Sequence, residues 1–296
     1  MKAYEQTNPI ISSVHFLFLM LTVMFTSNPI ISLTALTGAI LFNIVAGQAR
    51  VLKSDYKFFL LIFILVTLSN PLFSPVGNTV LIKVFAITVT LESLAYGAST
   101  ALMLISVMLW CRILCLTLAG DRIIYLFKGH MPKLALIISM SLHYIPMMKR
   151  EWKHISDTQK TLGNYCLSNT KGKIRLYLSC FSTLISCSLE NAAQTVKSME
   201  ARGYGSTART SCSEYPFRFS DTLLLIVYVI LFSSVTAAAC MGCIGFVFYP
   251  ELEGVKTAGS PTYTAIAYLC FGLMSLLPFL TELKELVQWN FCRSKI

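Results

Sequence analysis

Residues 90–118 read TLESLAYGASTALMLISVMLWCRILCLTL, and residues 119–133 continue as AGDRIIYLFKGHMPK. The first stretch has a polar entrance and then a long apolar run, while the second is short, charged and broken. Thr90 sits where an N-cap hydroxyl belongs, and Glu92 falls in the first turn, where the helix dipole favours an acid. From Leu94 to Leu118 the run is long enough to cross a bilayer, which takes roughly 20 predominantly apolar residues. An apolar span that empties into a basic segment predicts a membrane helix whose C-terminal end faces the cytoplasm. Arg112, between Trp110 and Ile113, is expected to snorkel towards that edge rather than pair with another span.

Further stretches have the same apolar character: about Ile10 to Thr26, Ile30 to Ala46, Phe58 to Phe73, Thr222 to Phe248 and Tyr263 to Leu280. With 55% hydrophobic and 13% charged residues, the 296-residue chain is far from a soluble domain. The expected fold is all-α and polytopic, with about six transmembrane helices in a block of four and a block of two. Of the 24 Lys and Arg, 21 lie at Lys2, in the 50–57 loop, between Asp121 and Asp221, or after Leu283. The positive-inside rule then puts both termini and the central segment in the cytoplasm. The first span lacks a small-residue cleavage site and is read as a retained helix. This bias also accounts for the net charge of +10 without a nucleic-acid partner.

Three domains follow: a membrane block (1–118), a cytoplasmic segment (119–220) and a membrane hairpin with a short tail (221–296). Asn28-Pro29 and Asn70-Pro71 mark helix ends. Residues 74–90 are too polar to span and predict a short extended excursion on the outer side. The central segment carries 14 Lys and Arg against six Asp and Glu, most of the chain's excess charge. Leu134 to Tyr144 is apolar enough to lie along the membrane, with Pro146 as a break. Met147 to Leu162 reads as a polar helix with Gly163 at its C′ position, and Asn164 to Gly172 as a turn-rich connection. Lys173 to Arg202 reads as a long helix capped by Gly203. On it Leu189, Ala192, Val196 and Met199 form an apolar stripe suited to the other helix or to a partner groove.

Catalytic motifs are missing. The chain has no GxxxxGK[ST] to cradle ATP phosphates, no HExxH and no GxSxG. His15, His130, His143 and His154 lack ligand spacing, so no metal site is expected. Cys111 with Cys115, and Cys240 with Cys243, read as small packing residues. The expectation is a non-enzymatic subunit with no cofactor of its own. A self-contained secondary carrier using Glu92 and Arg112 is the alternative, although the two blocks lack the internal repeats such carriers often show.

Several stretches resemble the transmembrane T component of energy-coupling-factor (ECF) transporters, the family that includes the cobalt-transporter permease subunit. They are 70–74 (NPLFS), 90–97 (TLESLAYG), 121–127 (DRIIYLF), 132–136 (PKLAL), 139–142 (SMSL) and, most closely, 198–204 (SMEARGY). The resemblance implies a scaffold in the cell's inner membrane whose cytoplasmic coupling helices dock two short motifs onto a pair of ABC-type ATPases. Those partners would use ATP, and a small membrane subunit would bind the micronutrient, a vitamin or a transition-metal ion. Ala201-Arg202-Gly203 would make the second contact, its arginine offering a planar five-donor fork to a carboxylate. The first motif departs from the pattern, because its expected arginine aligns with Leu162 in Lys160-Thr161-Leu162-Gly163. Either Lys160 supplies the charge or Leu162 docks by apolar contact.

Overall fold

The computed structural model describes residues 8–73, 77–84, 87–118, 120–128, 131–162, 170–206, 219–249, 254–255 and 261–293. Among them, helices α1 (Pro9–Phe25), α2 (Pro29–Val45) and α3 (Ala49–Phe73) precede a hairpin of β1 (Val80–Val84) and β2 (Ile87–Thr90). Then come α4 (Leu91–Thr117), α5 (Asp121–Lys128), α6 (Pro132–Thr161), α7 (Thr170–Ala201) and α8 (Phe219–Cys240). A two-residue ribbon of β3 (Phe246–Val247) and β4 (Gly254–Val255) leads to α9 (Pro261–Arg293). The fold is all-α apart from the two ribbons. It divides into two compact units, Met1–Ala119 with Tyr215–Ile296, and Gly120–Glu214.

The first unit contains every apolar stretch singled out in the sequence as a span. Among the described residues, four helical segments are long and apolar enough to cross a membrane: Leu52–Phe73, Leu91–Thr117, Asp221–Cys240 and Pro261–Lys284. α1 and α2 are equally apolar but have 17 residues each, about 25 Å of rise. Each begins at an Asn-Pro pair. The Asn8 and Asn28 side chains accept from the amides of Ile10 and Ile30, and proline fills N1, where its missing N–H costs nothing.

The core gathers Phe16, Phe42, Leu109, Trp110, Ile113, Phe271 and Met274 from α1, α2, α4 and α9. Trp110 is fully buried and its Nε1 donates to the Ala35 carbonyl at 3.0 Å, joining α4 to α2. Asn28 Nδ2 donates to the Ile244 carbonyl and to the Tyr268 hydroxyl, tying three distant parts of the chain together. In a bilayer such close packing and interhelical hydrogen bonds hold helices together, because lipid tails are as apolar as leucine.

Asn70-Pro71 does not end a helix, since α3 runs through it to Phe73. Proline there withholds the N–H that Thr67 O would have received. Gly97 of α4 packs against that same carbonyl, so the freed acceptor lies in a helix–helix contact. The span expected to reach Phe248 stops at Cys240. Gly242 adopts φ 72°, and the amides of Gly242 and Cys243 turn back to Ala239 O and Ala238 O. The basic 50–57 loop is instead the first turns of α3, with Lys53 and Lys57 exposed.

The charges within this unit are held by neighbours. Arg112 pairs with Asp55 at 2.8 Å rather than snorkelling alone, because α3 extends far enough to present an acid to α4. Thr90 caps α4 by accepting from the Ser93 amide, as expected. Glu92, only 2% exposed, does more than favour the dipole: its Oε1 accepts from the Thr79 amide and hydroxyl at 3.2 and 2.7 Å. The excursion at 74–90 is extended where described and is bound to α4 through this carboxylate. His15 is a packed residue, its ring 4.3 Å from that of Tyr228. The cysteines divide, with Cys243 buried while Cys111, Cys115 and Cys240 are exposed rather than packed.

Candidate functional site

The second unit is a short helix, α5, followed by the long pair α6 and α7. α6 spans 30 residues and passes through Pro146 without breaking, so the two expected segments form one helix. Pro146 sits on an exposed face, where its ring has room and water can serve the orphaned carbonyl. α7 begins at Thr170, three residues earlier than expected, and ends at Ala201.

The two helices run antiparallel. Trp152 stacks on Tyr177, Ser188 Oγ donates to Met148 Sδ, and the hydroxyls of Tyr144 and Thr195 are 2.8 Å apart. Towards the end of α7 they leave a cleft of about 680 Å³, bordered by Leu136, Ser139 and His143 on α6 and by Asn191, Gln194 and Ser198 on α7. The C-terminal end of α7 therefore lies near the start of α6. The C-terminal end of α6 lies at the opposite pole of the hairpin.

At the α7 end the chain forms a full Schellman turn. Gly203 N bonds Glu200 O at 2.9 Å, Tyr204 N bonds Met199 O at 3.0 Å, and Gly203 has φ 71°. A side chain at position 203 would be strained there, which is why this residue is glycine. The amide and hydroxyl of Ser206 both donate to Gly203 O, at 3.1 and 2.7 Å, fixing the residues beyond. Arg202 is the C-cap of this turn. Ala201, Arg202 and Gly203 are all exposed, and no described carboxylate pairs with the guanidinium. The Gly203-Tyr204-Gly205-Ser206 spacing signals such a turn in sequence, yet Ser206 was not singled out there.

At the other pole α6 ends on Leu162, whose amide bonds Thr158 O at 3.1 Å and whose side chain is 67% exposed. Lys160 Nζ lies 3.0 Å from Asp157 Oδ1 one turn back, a partner that sequence reading missed. That ammonium holds the Asp157 carboxyl below its usual range. Gly163 lies outside the described residues. The candidate residues thus occupy two separate tips, with Lys160 and Leu162 at one and Ala201, Arg202 and Gly203 at the other.

The expected apolar stripe of α7 does not face α6. Leu176, Cys180 and Leu184 lie on the covered side, whereas Leu189 and Val196 are exposed. With them Ile174, Leu178, Phe181 and Ile185 form an exposed row at three- and four-residue intervals. Among the described residues, no group of three or more His, Cys, Asp or Glu is placed to hold a metal ion.

The family model described as "Cobalt transport protein" (CbiQ) matches residues 4–212, most of the membrane unit's first part and the whole helical arm. The chain belongs to this family. It is 30% identical over 214 residues to the energy-coupling factor transporter transmembrane protein EcfT of Listeria innocua, covering 66% of this chain and 81% of that protein. Staphylococcus aureus EcfT is 28% identical over 184 residues, 58% of this chain and 68% of the relative. Family and apolar helices together make the chain a multi-pass transmembrane transport protein of the energy-coupling-factor class. The matched range contains both tips, so Arg202 and Leu162 are features of the family region and not of an appended segment.

Proposed function

We propose that this chain is the transmembrane scaffold of an ATP-driven importer, sited in the cell's inner membrane with both termini cytoplasmic. Residues 1–118 and 221–296 form its membrane block, and 119–220 form a cytoplasmic arm that docks onto ABC-type ATPase subunits. A separate small membrane subunit binds the micronutrient, a vitamin or a transition-metal ion, and the arm carries ATPase motion to it. This chain binds no cofactor, and ATP is used by its partners.

The observation that carries the reading is Arg202, an unpaired guanidinium on a turn fixed by backbone hydrogen bonds at the end of a 32-residue helix. Exposed arginine on a rigid support loses little freedom on binding and suits bidentate capture by a carboxylate. The exposed row from Ile174 to Val196 suits an apolar membrane partner, which would cover it. The intramembrane charges that a carrier would use are engaged structurally, Arg112 by Asp55 and Glu92 by Thr79.

The test is uptake of the cognate micronutrient by cells carrying Arg202→Glu. Expression should be intact and uptake lost. Normal uptake by a well-expressed variant would refute the docking role, and ATP-independent transport by the chain reconstituted alone would establish the carrier instead.

A further inference from the structure

One side of α4 supplies Ile105, Leu109, Trp110 and Ile113 to the core of the membrane unit, all of them buried. The other side presents Leu104, Met108, Cys111 and Cys115, all of them exposed. At about 100° per residue, Met108, Cys111 and Cys115 fall within an arc of roughly 60°, over two turns. Side chains on a helix lean back towards its N-terminus, so the Cys115 thiol is carried towards Cys111. The two thiols are hydrogen-bonded to each other. Packing residues belong on the core side, and this row of sulfur atoms lies away from it.

The donors present decide which ligand fits. Arg112 is engaged by Asp55, and among the described residues no third His, Cys, Asp or Glu joins the two thiols. Structural zinc takes four ligands, and calcium and magnesium take oxygen, so neither donor set is here. Thiolate and thioether sulfur together favour Cu(I). Cys115 lies three residues before Leu118, the C-cap of α4, where the span meets the basic segment. With that end on the cytoplasmic side, both thiols stay reduced and their protons have a path to water.

We propose that Met108, Cys111 and Cys115 form a surface site on α4 for Cu(I), with the two thiolates as principal ligands and the thioether as a weaker third. Binding replaces two S–H bonds with two S–Cu bonds and releases two protons to water. The metal enters as Cu(I) and stays Cu(I), so no oxidant or reductant is needed. Few donors on an exposed face leave the ion open to ligand exchange, so it is held as an exchangeable ion and not as a resident cofactor. The site is independent of ATPase docking, because all three donors lie on one helix of the membrane unit.

The experiment uses the full chain purified in detergent under reducing, anaerobic conditions. Cu(I) is supplied from a chromogenic chelator, and alkylation of individual cysteines by a maleimide is followed by peptide mass spectrometry. Cu(I) should slow alkylation of both Cys111 and Cys115 by at least about tenfold, the scale of effects at metal sites, and leave exposed Cys240 within about twofold. Zn(II) at the same concentration should protect neither. Cys111→Ser should remove the protection at Cys115, and Met108→Leu should weaken Cu(I) retention against the chelator by about tenfold. Equal protection at Cys240 would mean non-specific thiol binding and overturn the proposal. So would protection by Zn(II), or protection of Cys115 that survives Cys111→Ser. Unchanged retention by Met108→Leu would overturn the three-sulfur site. The wild-type protection pattern needs no variant to fold, and none of these outcomes touches the reading of Arg202.

Discussion

Three helical glycines in the membrane unit set up a comparison with opposite expected signs. A Cβ added at Gly97 would lie 2.8 Å from Thr67 O, 3.1 Å from Asn70 Cβ and 3.2 Å from Thr67 Cα. At Gly38 it would lie 2.9 Å from Ser275 O. These are mainly backbone atoms of a facing helix, so they can yield only if two helices move apart. At Gly272 an added Cβ meets nothing within 4 Å. Replacing a helical glycine by alanine gains about 0.5–1 kcal/mol of backbone entropy wherever there is room. Overpacking costs about 1–3 kcal/mol, and at Gly97 the close approach to the freed Thr67 carbonyl is lost as well. Gly97→Ala and Gly38→Ala should therefore destabilise by about 1–2 kcal/mol net, while Gly272→Ala stabilises by up to about 1 kcal/mol.

The same chemical change thus differs by about 2–3 kcal/mol between sites, or roughly 5–10 °C in apparent melting temperature at about 2–4 °C per kcal/mol. The assay is survival of the monodisperse peak on size exclusion after heating the detergent-solubilised protein. Gly97→Ala melting at or above wild type would refute the claim that α3 and α4 meet at Thr67. An equal loss at Gly272 would mean that the glycines serve something other than close packing.

Three further outcomes are expected. At position 203, Asn, Ala and Val should weaken ATPase retention in that order, with Ala losing about 5–30-fold for the 1–2 kcal/mol of left-handed strain; wild-type retention by Gly203→Val would show that the turn is not what docks. Gly77 has φ 144° and no room for a Cβ against the Glu92 carboxylate, so Gly77→Ala should abolish hydrogen-exchange protection across the β1–β2 hairpin, and unchanged protection would mean Glu92 does not anchor it. Asp55→Arg and Arg112→Asp should each lower apparent melting by a few degrees, about 1 kcal/mol for a partly exposed pair. Their combination should recover most of that loss, and additive losses would show no coupling.

Much of the fold was legible because apolar length and turn chemistry are local properties. Asn28-Pro29 marks a helix end as expected, capping the start of α2, and Gly203 takes the left-handed conformation its place after a long helix suggests. Pro71 and Pro146 misled because a proline's effect depends on what meets the carbonyl it frees. Gly97 packs against Thr67 O in the first case, and open surface surrounds Pro146 in the second. The α7 stripe left its neighbour open, the other helix or a partner groove, since period alone shows that a face is apolar and not what covers it. The helix buries Leu176 and Cys180 and leaves Leu178 and Leu189 exposed. The Lys160–Asp157 and Arg112–Asp55 pairs could be found only once helix extents were known, because each depends on register.

The distribution of charge bears on which alternative for Leu162 is the stronger. Arg112 is already paired with Asp55 across two helices, and Lys160 with Asp157 within one. The Asp157–Lys160 pair is in place at neutral pH, and because the Asp157 pKa is lowered it is lost only as pH falls through that lowered value. For Lys160 to act as the missing arginine it would have to leave Asp157 on the approach of an acidic groove, setting two carboxylates side by side. For Leu162 to dock, nothing need move, since its side chain is already exposed and its amide already bonded to Thr158 O. The apolar route breaks no existing contact, so an aspartate at 162 should be more damaging than an alanine at 160. If the alanine proves the more damaging, the charge is being recruited and the two tips are chemically alike.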